Sequence, residues 1–101
     1  MSHELYNFLQ KIKEKPVMYL RKTSLVHLTF FIIGYSTKEY ELGIVDNLLF
    51  DSNDFNRYCA TRYTGAVLSP KDSFMLIAEN SKDDEEAFYN FFTVLEEYLK
   101  S

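Results

Sequence analysis

The chain has 101 residues, a length typical of one domain, and 47% of them are hydrophobic, which supplies an apolar core and argues against disorder. A formal net charge of −4 disfavours a general nucleic-acid or anionic-membrane binder, since both need a basic surface. One cysteine excludes an internal disulfide framework, and three glycines with two prolines leave too few tight turns for a β-sandwich or barrel, so an all-α domain over residues 1–101 is expected.

The first predicted helix begins after Ser2, an N-cap candidate, and its apolar residues follow the i, i+3, i+4, i+7 spacing of one helical face. Pro16 has no backbone donor and pushes Lys15 out of the helical region, so the helix is expected to end there. For residues 16–20 we expect an apolar turn or an extended connector that packs under the bundle.

The second predicted helix runs from the cap candidates Thr23 and Ser24 to Gly43, which suits the left-handed position that closes helices. Its apolar residues cover nearly the whole circumference, so we expect it to be the central helix. Gly34 inside it lowers helix stability by roughly 1 kcal/mol relative to alanine, which predicts close approach of another helix. The apolar run at 44–50 is ambiguous, and we interpret it as mostly loop.

Two further helices are predicted between residues 51 and 80. The third helix starts at a cluster of capping residues, 51–53, and stops at Gly65. The fourth helix is short and starts at Ser69 and Pro70, because a capping side chain there precedes proline at a first helical position.

The fifth predicted helix begins at Ser81 and is the most strongly patterned segment of the chain. Four acids occupy its first turn at 83–86, and an aromatic face follows them. Phe91 and Phe92 belong to that face, so we place both in or beside the core. The sequence therefore predicts a single-domain bundle of about five helices.

Few residues in the sequence could support catalysis or bind a cofactor. A cysteine nucleophile would be Cys59 with His3 or His27 as its base, yet Cys59 falls on an apolar stripe, where free cysteine usually behaves as a buried hydrophobe. Lone histidines without i, i+4 partners supply no metal site, and no glycine-rich phosphate loop exists, so no cofactor is expected. An enzyme built on Asp51 and Asp54 is a third hypothesis, which their position at a helix start disfavours.

Charge and tyrosines point instead to a protein partner. Residues 1–22 carry a net charge of +3 and the remainder −7, so the chain is dipolar. Acids in a first helical turn are favoured by the macrodipole, but an acidic patch would also steer and dock a cationic partner. Tyr6, Tyr40 and Tyr89 fall off the main apolar stripes and are candidates for an interface. The candidate partner-binding residues are Asp83, Asp84, Glu85, Glu86, Asp51, Asp54, Tyr89 and Tyr40.

A pattern of apolar, aromatic and connector residues spans most of the chain in four segments: Lys-Pro-Val-Met-Tyr-Leu at 15–20 with Ser24 and Leu25, positions 28–35 ending in Gly34 and Tyr35, Phe55 with Arg62 and Tyr63, and the aromatic run within 87–99. In this pattern the chain resembles a small bacterial family of immunity proteins from toxin-delivery systems, including contact-dependent growth inhibition. It departs from the family at Arg21, where glycine is expected, and at Phe74, where tryptophan is common.

The resemblance implies an immunity protein. The missing catalytic sets predict that it is not an enzyme, and a sequence without signal-peptide or membrane-span pattern predicts a cytoplasmic location. Such a protein binds one cognate toxin domain, a nuclease being one candidate, and blocks its active site or an adjacent surface. The alternative is a small helical adaptor or regulatory module that binds a protein without inhibiting catalysis. Neither role requires direct contact with nucleic acid or membrane, and the oligomeric state is left open.

Overall fold

The structure, a computed structural model, describes residues 3–43, 53–66 and 69–100. These residues form six α-helices and no strand, which confirms the all-α prediction, with one helix more than expected. The predicted loop at 44–50 and the candidate residue Asp51 lie outside the described residues. None of the described helices is both long enough and apolar enough to cross a bilayer. The helices are α1 (His3–Glu14), α2 (Pro16–Leu20), α3 (Leu25–Glu41), α4 (Asn53–Thr64), α5 (Ser73–Glu79) and α6 (Asp84–Lys100).

The additional helix is α2, so the expectation of a turn or extended connector at 16–20 is wrong. Lys15 leaves the helical region, with φ −135° and ψ 66°, and Pro16 then takes the first position of a new helix. Proline fits there because first-turn N–H groups have no intrahelical acceptor. Arg21 closes α2 in the left-handed conformation, with φ 70°, and its N–H donates to the carbonyl of Val17 at 2.9 Å.

The ends of α3 agree with the sequence prediction, but its glycine does not have the predicted role. The Ser24 hydroxyl accepts a hydrogen bond from the His27 N–H at 3.1 Å and caps the helix, and Gly43 follows the helix with φ 77°. Gly34 is exposed, and apart from its chain neighbours and the nearby backbone of its own helix, nothing lies within 4 Å of the place where its Cβ would stand. The expectation that another helix of the chain approaches Gly34 is therefore wrong.

The fourth predicted helix, α5, starts at Ser73 and not at Pro70. Asp72 is its N-cap, and the carboxylate accepts a hydrogen bond from the Met75 N–H at 2.9 Å. The Ser69 hydroxyl instead accepts from the Lys71 N–H at 3.1 Å, which makes a local turn before the helix. Two candidate capping residues, Ser69 and Asp72, stand close together in the sequence, and Asp72 is the one that caps the helix.

The last helix, α6, starts at Asp84, three residues after the predicted start at Ser81. The Ser81 hydroxyl donates to the carbonyl of Ile77 at 2.6 Å and accepts from the Asn90 amide at 2.9 Å. Ser81 therefore ties the turn between α5 and α6 to both helices, and it does not cap α6.

Buried apolar side chains from all six helices form one core, to which α6 contributes the buried phenylalanine rings of Phe88, Phe91 and Phe92. Phe91 and Phe92 are buried, as predicted. The Phe91 ring stacks on Phe74 at 5.6 Å between centroids and meets Phe55 edge-on at 6.2 Å. Because α6 contacts α3, α4 and α5, it lies at the centre of the bundle.

Only one face of α3 is buried, which corrects the expectation that this helix is enclosed nearly all round. Leu25, Leu28 and Ile32 lie in the core. Val26 and Phe30, on another face, are exposed, and 68% of Phe30 is accessible to solvent. A helix whose circumference is apolar has thus been left with an uncovered apolar side.

Candidate protein-binding surface

The four acids at the start of α6, all predicted to bind a partner, have different roles. Asp83 and Glu86 form a reciprocal cap: the Asp83 carboxylate accepts from the Glu86 N–H at 2.8 Å, and the Glu86 carboxylate accepts from the Lys82 N–H at 2.7 Å. Both side chains satisfy N–H groups that a helix start leaves without acceptors. The helix start therefore accounts for the position of these two acids.

Asp84 joins the start of α6 to the start of α3. Its carboxylate accepts hydrogen bonds from the Ser24 hydroxyl and, at 3.2 Å, from the Val26 N–H. Ser24 is itself buried, so this bond satisfies a polar group that water does not reach. The negative charge also lies at the positive end of the α3 macrodipole. Asp84 is thus a structural residue as well as a candidate contact.

An open cleft of about 450 Å³ separates α2 from the start of α6. It brings three of the predicted acids together with polar and basic side chains that precede α3. We call it the α2–α6 cleft, and its lining residues are Val17, Arg21, Lys22, Thr23, Asp83, Asp84 and Glu85.

One exposed apolar side chain of α2, Val17, lines this cleft, and the exposed Met18 follows it in the chain. Val17 is 60% exposed and Met18 is 69% exposed, whereas Leu20 is the buried residue of this helix. Sequence reasoning missed them because it assigned this segment to the underside of the bundle. A five-residue helix makes little more than one turn, so it can bury only one side of itself.

A second, apolar depression lies between α3 and α5 and has a volume of about 210 Å³. We call it the α3–α5 groove. Asp84 is the charged residue at its border and also lines the α2–α6 cleft, so the two depressions adjoin. The groove is lined by Leu25, Val26, Thr29, Phe30, Phe74, Met75, Ala78 and Asp84.

An exposed stripe runs along α3 from this groove toward the end of the helix. Its members recur at alternating spacings of four and three residues, the repeat with which one helix packs against another. Tyr40, one of the predicted interface residues, is 83% exposed and ends the stripe. The sequence prediction missed the stripe as a surface because it took α3 to be buried. The α3 stripe comprises Val26, Phe30, Ile33, Thr37 and Tyr40.

The other candidate residues lie elsewhere. Asp54 is exposed in the first turn of α4, and Tyr89 is exposed on α6, with its ring edge-on to Phe88 at 5.1 Å. Neither lines the cleft or the groove. The Tyr6 hydroxyl donates to the Glu96 carboxylate at 2.8 Å, so Tyr6 links α1 to α6. That hydrogen bond, with a smaller contribution from burial, raises the pKa of Tyr6.

The side chains of the candidate catalytic pair, Cys59 and His27, lie in different environments. Cys59 is buried on α4, and burial raises the pKa of its thiol to about 12, which disfavours the thiolate that nucleophilic catalysis needs. His27 is exposed, and its Nδ1 lies 2.9 Å from the carbonyl oxygen of Leu20. Among residues 3–43, 53–66 and 69–100, no three side chains of metal-ligand type come together.

No protein-family profile, curated protein or solved structure matches the chain significantly. Function is therefore inferred from the chemistry of the surface. The α2–α6 cleft combines exposed apolar side chains with charges of both signs, and the α3 stripe is apolar and uncharged. Apolar centres with polar rims are the composition of protein–protein interfaces.

Proposed function

We propose that the chain is an immunity protein that binds a cognate toxin domain at the α2–α6 cleft and blocks the toxin's active site or an adjacent surface. The observation that carries this proposal is the juxtaposition of the exposed Val17 with the acids Asp83 and Glu85 around one open depression. An apolar contact surrounded by charged groups can supply both affinity and selectivity for one partner. The resemblance of the sequence to immunity proteins supports the same conclusion.

Three acids against two basic side chains in the cleft, together with the net charge of −4 of the chain, favour a cationic partner such as a nuclease. A nuclease must hold phosphate groups, so its active site is basic, and carboxylates can occupy the same positions as those phosphates. Glu85 is exposed at the rim, where it can approach a partner. The overall charge of −4 adds long-range attraction to a basic toxin, which raises the association rate.

The proposal is tested by capture followed by a growth assay. The chain is used as bait in its native cells, captured proteins are identified by mass spectrometry, and each one is expressed in a sensitive host with and without the chain. A toxin whose growth arrest is relieved by the chain supports the proposal. A partner that binds but arrests no growth supports an adaptor instead, and the immunity function is then wrong.

A matched pair of charge reversals tests the binding site. Glu85 and Asp54 are both exposed acids in the first turn of a helix, so Glu85→Lys and Asp54→Lys should each lose a similar helix-dipole contribution of roughly 0.3–1 kcal/mol. Because only Glu85 lines the cleft, Glu85→Lys should slow toxin association at low salt, and Asp54→Lys should not. Equal association rates for the two variants would place the toxin on another face.

A third substitution tests the apolar part of the site. Met18→Glu puts a charge on a side chain that is already exposed, so the fold should change little. If Met18 is buried against the toxin, the variant should dissociate faster and protect cells less. Unchanged dissociation would exclude α2 from the interface.

A further inference from the structure

The α3 stripe is built for contact with another helix. With 1.5 Å of rise per residue, the distance from Val26 to Tyr40 along α3 is about 21 Å, and Ile33 lies at its midpoint. At 100° per residue all five positions fall on one face of the helix. None of the five is charged, so the stripe can meet an identical stripe without repulsion between like charges.

We propose that a second copy of this chain covers the stripe, with the two α3 helices antiparallel and related by a twofold axis at Ile33. In an isologous contact both copies use the same surface. With the twofold axis at the midpoint of the stripe, the stripe of each copy lies against the full length of the stripe of the other. In this register Ile33 lies against Ile33 of the second copy, and Phe30 lies opposite Thr37. The interface shares only Asp84 with the α2–α6 cleft, and this inference does not depend on toxin binding.

The same register brings Tyr40 of one copy level with Val26 of the other, at the α3–α5 groove. The groove is apolar, with the carboxylate of Asp84 at its border. Tyrosine matches this chemistry, because its ring is apolar and its hydroxyl donates a hydrogen bond. The groove volume of about 210 Å³ exceeds the roughly 150 Å³ of a cavity that accommodates benzene. Each dimer then contains two such contacts, and in each one the exposed tyrosine of one copy lies in the apolar groove of the other.

Tyr40 also lies on the side of the stripe from which it can reach the groove of the second copy. By helical rotation it lies on the flank of the stripe that carries Thr29, which is the flank next to α5 and the groove. A twofold axis perpendicular to antiparallel helices places this flank of one copy beside the same flank of the other. The tyrosine therefore approaches the groove from the open side.

Sedimentation over a concentration series gives the first test. The chain mass is 12.0 kDa, and we expect a species of twice that mass that dissociates on dilution. Ile33→Asp should remain monomeric, whereas Met18→Glu, an equally polar change at an exposed residue of α2, should dimerise like the parent. Circular dichroism checks that both variants fold. A parent chain that stays monomeric up to about 1 mM would overturn the proposal.

Tyr40→Phe tests the groove contact. It retains the ring and removes the donor. Because each dimer loses two such hydrogen bonds, we expect its dissociation constant to rise by about tenfold or more. The monomer should be unaffected, because the side chain is exposed. An unchanged dissociation constant would show that the hydroxyl does not reach Asp84 of the second copy.

Cysteine cross-linking tests the antiparallel register. Only a residue on the twofold axis meets its own copy, so under mild oxidation Ile33→Cys should form a disulfide between chains and Val26→Cys should not. The native Cys59 is buried and should not interfere. Cross-linking of both variants indicates parallel helices, and cross-linking of neither leaves the face to another partner; either result contradicts the proposal.

Discussion

Arg21 holds a backbone conformation that arginine adopts at a loss of stability. Among the described residues it is the only one other than glycine with a positive φ, at 70°. A side chain in this region lies too close to the following carbonyl oxygen, whereas glycine has no Cβ to clash. This geometry is a physical reason to expect glycine at this position.

We expect Arg21→Gly to raise the free energy of unfolding by about 1 kcal/mol, measured by urea denaturation. Lys22→Gly is the control, because Lys22 has no positive φ and should gain nothing from glycine. An equal gain from both substitutions would contradict strain as the cause.

Cys59 gives a second prediction at the scale of one residue. Its thiol pKa is raised to about 12 by burial, so at pH 8 roughly one folded molecule in 10⁴ carries the reactive thiolate. We expect alkylation at pH 8 to be slow in buffer and rapid after denaturation in guanidinium. Fast alkylation of the folded chain would show that α4 opens locally or that the thiol is accessible.

At the scale of elements, the junction between α3 and α6 depends on Asp84. Asp84→Ala removes the acceptor of the Ser24 hydroxyl and of the Val26 N–H, and it leaves Ser24 buried without this partner. We expect a loss of about 1–3 kcal/mol in unfolding free energy.

Glu85→Ala, one residue along the same turn, is the matched control for Asp84→Ala. Glu85 is exposed, so its truncation should change stability by no more than about 0.5 kcal/mol. Equal losses from the two substitutions would mean that the Asp84 contacts contribute nothing specific. Asp84 accepts hydrogen bonds at the start of α3, and Glu86 accepts one at the start of α6. Reversing either charge would therefore disturb folding, so Glu85 is the better residue for testing recognition.

Gly34 gives a prediction for α3. No atom would meet an added Cβ, so Gly34→Ala should stabilise the monomer through helix propensity alone, by up to about 1 kcal/mol. Thermal denaturation at low protein concentration measures this gain apart from any association of chains. A lower melting temperature would mean that an added Cβ meets another part of the monomer, which would contradict the open space at Gly34.

At the scale of the whole molecule, the core should respond as one unit. Phe91 is buried between Phe55 and Phe74 from two other helices, so Phe91→Ala should lower the unfolding free energy by about 3–5 kcal/mol. Tyr89→Ala on the same helix removes an exposed ring and should lose less than about 1 kcal/mol. Similar losses would contradict the burial of Phe91.

The helical class and the aromatic core could be predicted because helix periodicity and caps are local signals. The Phe91 face and the Ser24 cap were found in this way, while two further helix starts were displaced because several capping residues stand within a few positions of each other. Burial is not a local property. An apolar circumference on α3 looks the same in sequence whether a neighbouring helix covers it or not.

The candidate site was predicted only in part for the same reason. Glu85 was predicted from charge and Tyr40 from its place off the predicted stripes, and both are exposed. Val17 and Met18 were not predicted as surface residues, since apolar residues in a connector are expected to lie under a bundle. That Asp84 contacts a helix start about sixty residues away depends on tertiary structure, which no spacing rule encodes.

The position of Asp84 between two depressions has a consequence for regulation. A carboxylate has about four acceptor sites, and Ser24 and Val26 use two of them, so the rest are open to both a toxin donor and the Tyr40 hydroxyl of a second copy. If both compete for them, toxin binding and self-association become thermodynamically linked. Reciprocity then requires that the toxin weaken the dimer by the same factor by which dimer formation weakens toxin affinity. At high concentration the protein would then be mostly dimeric, and binding of the proposed toxin would shift the equilibrium toward the monomers that neutralise the toxin.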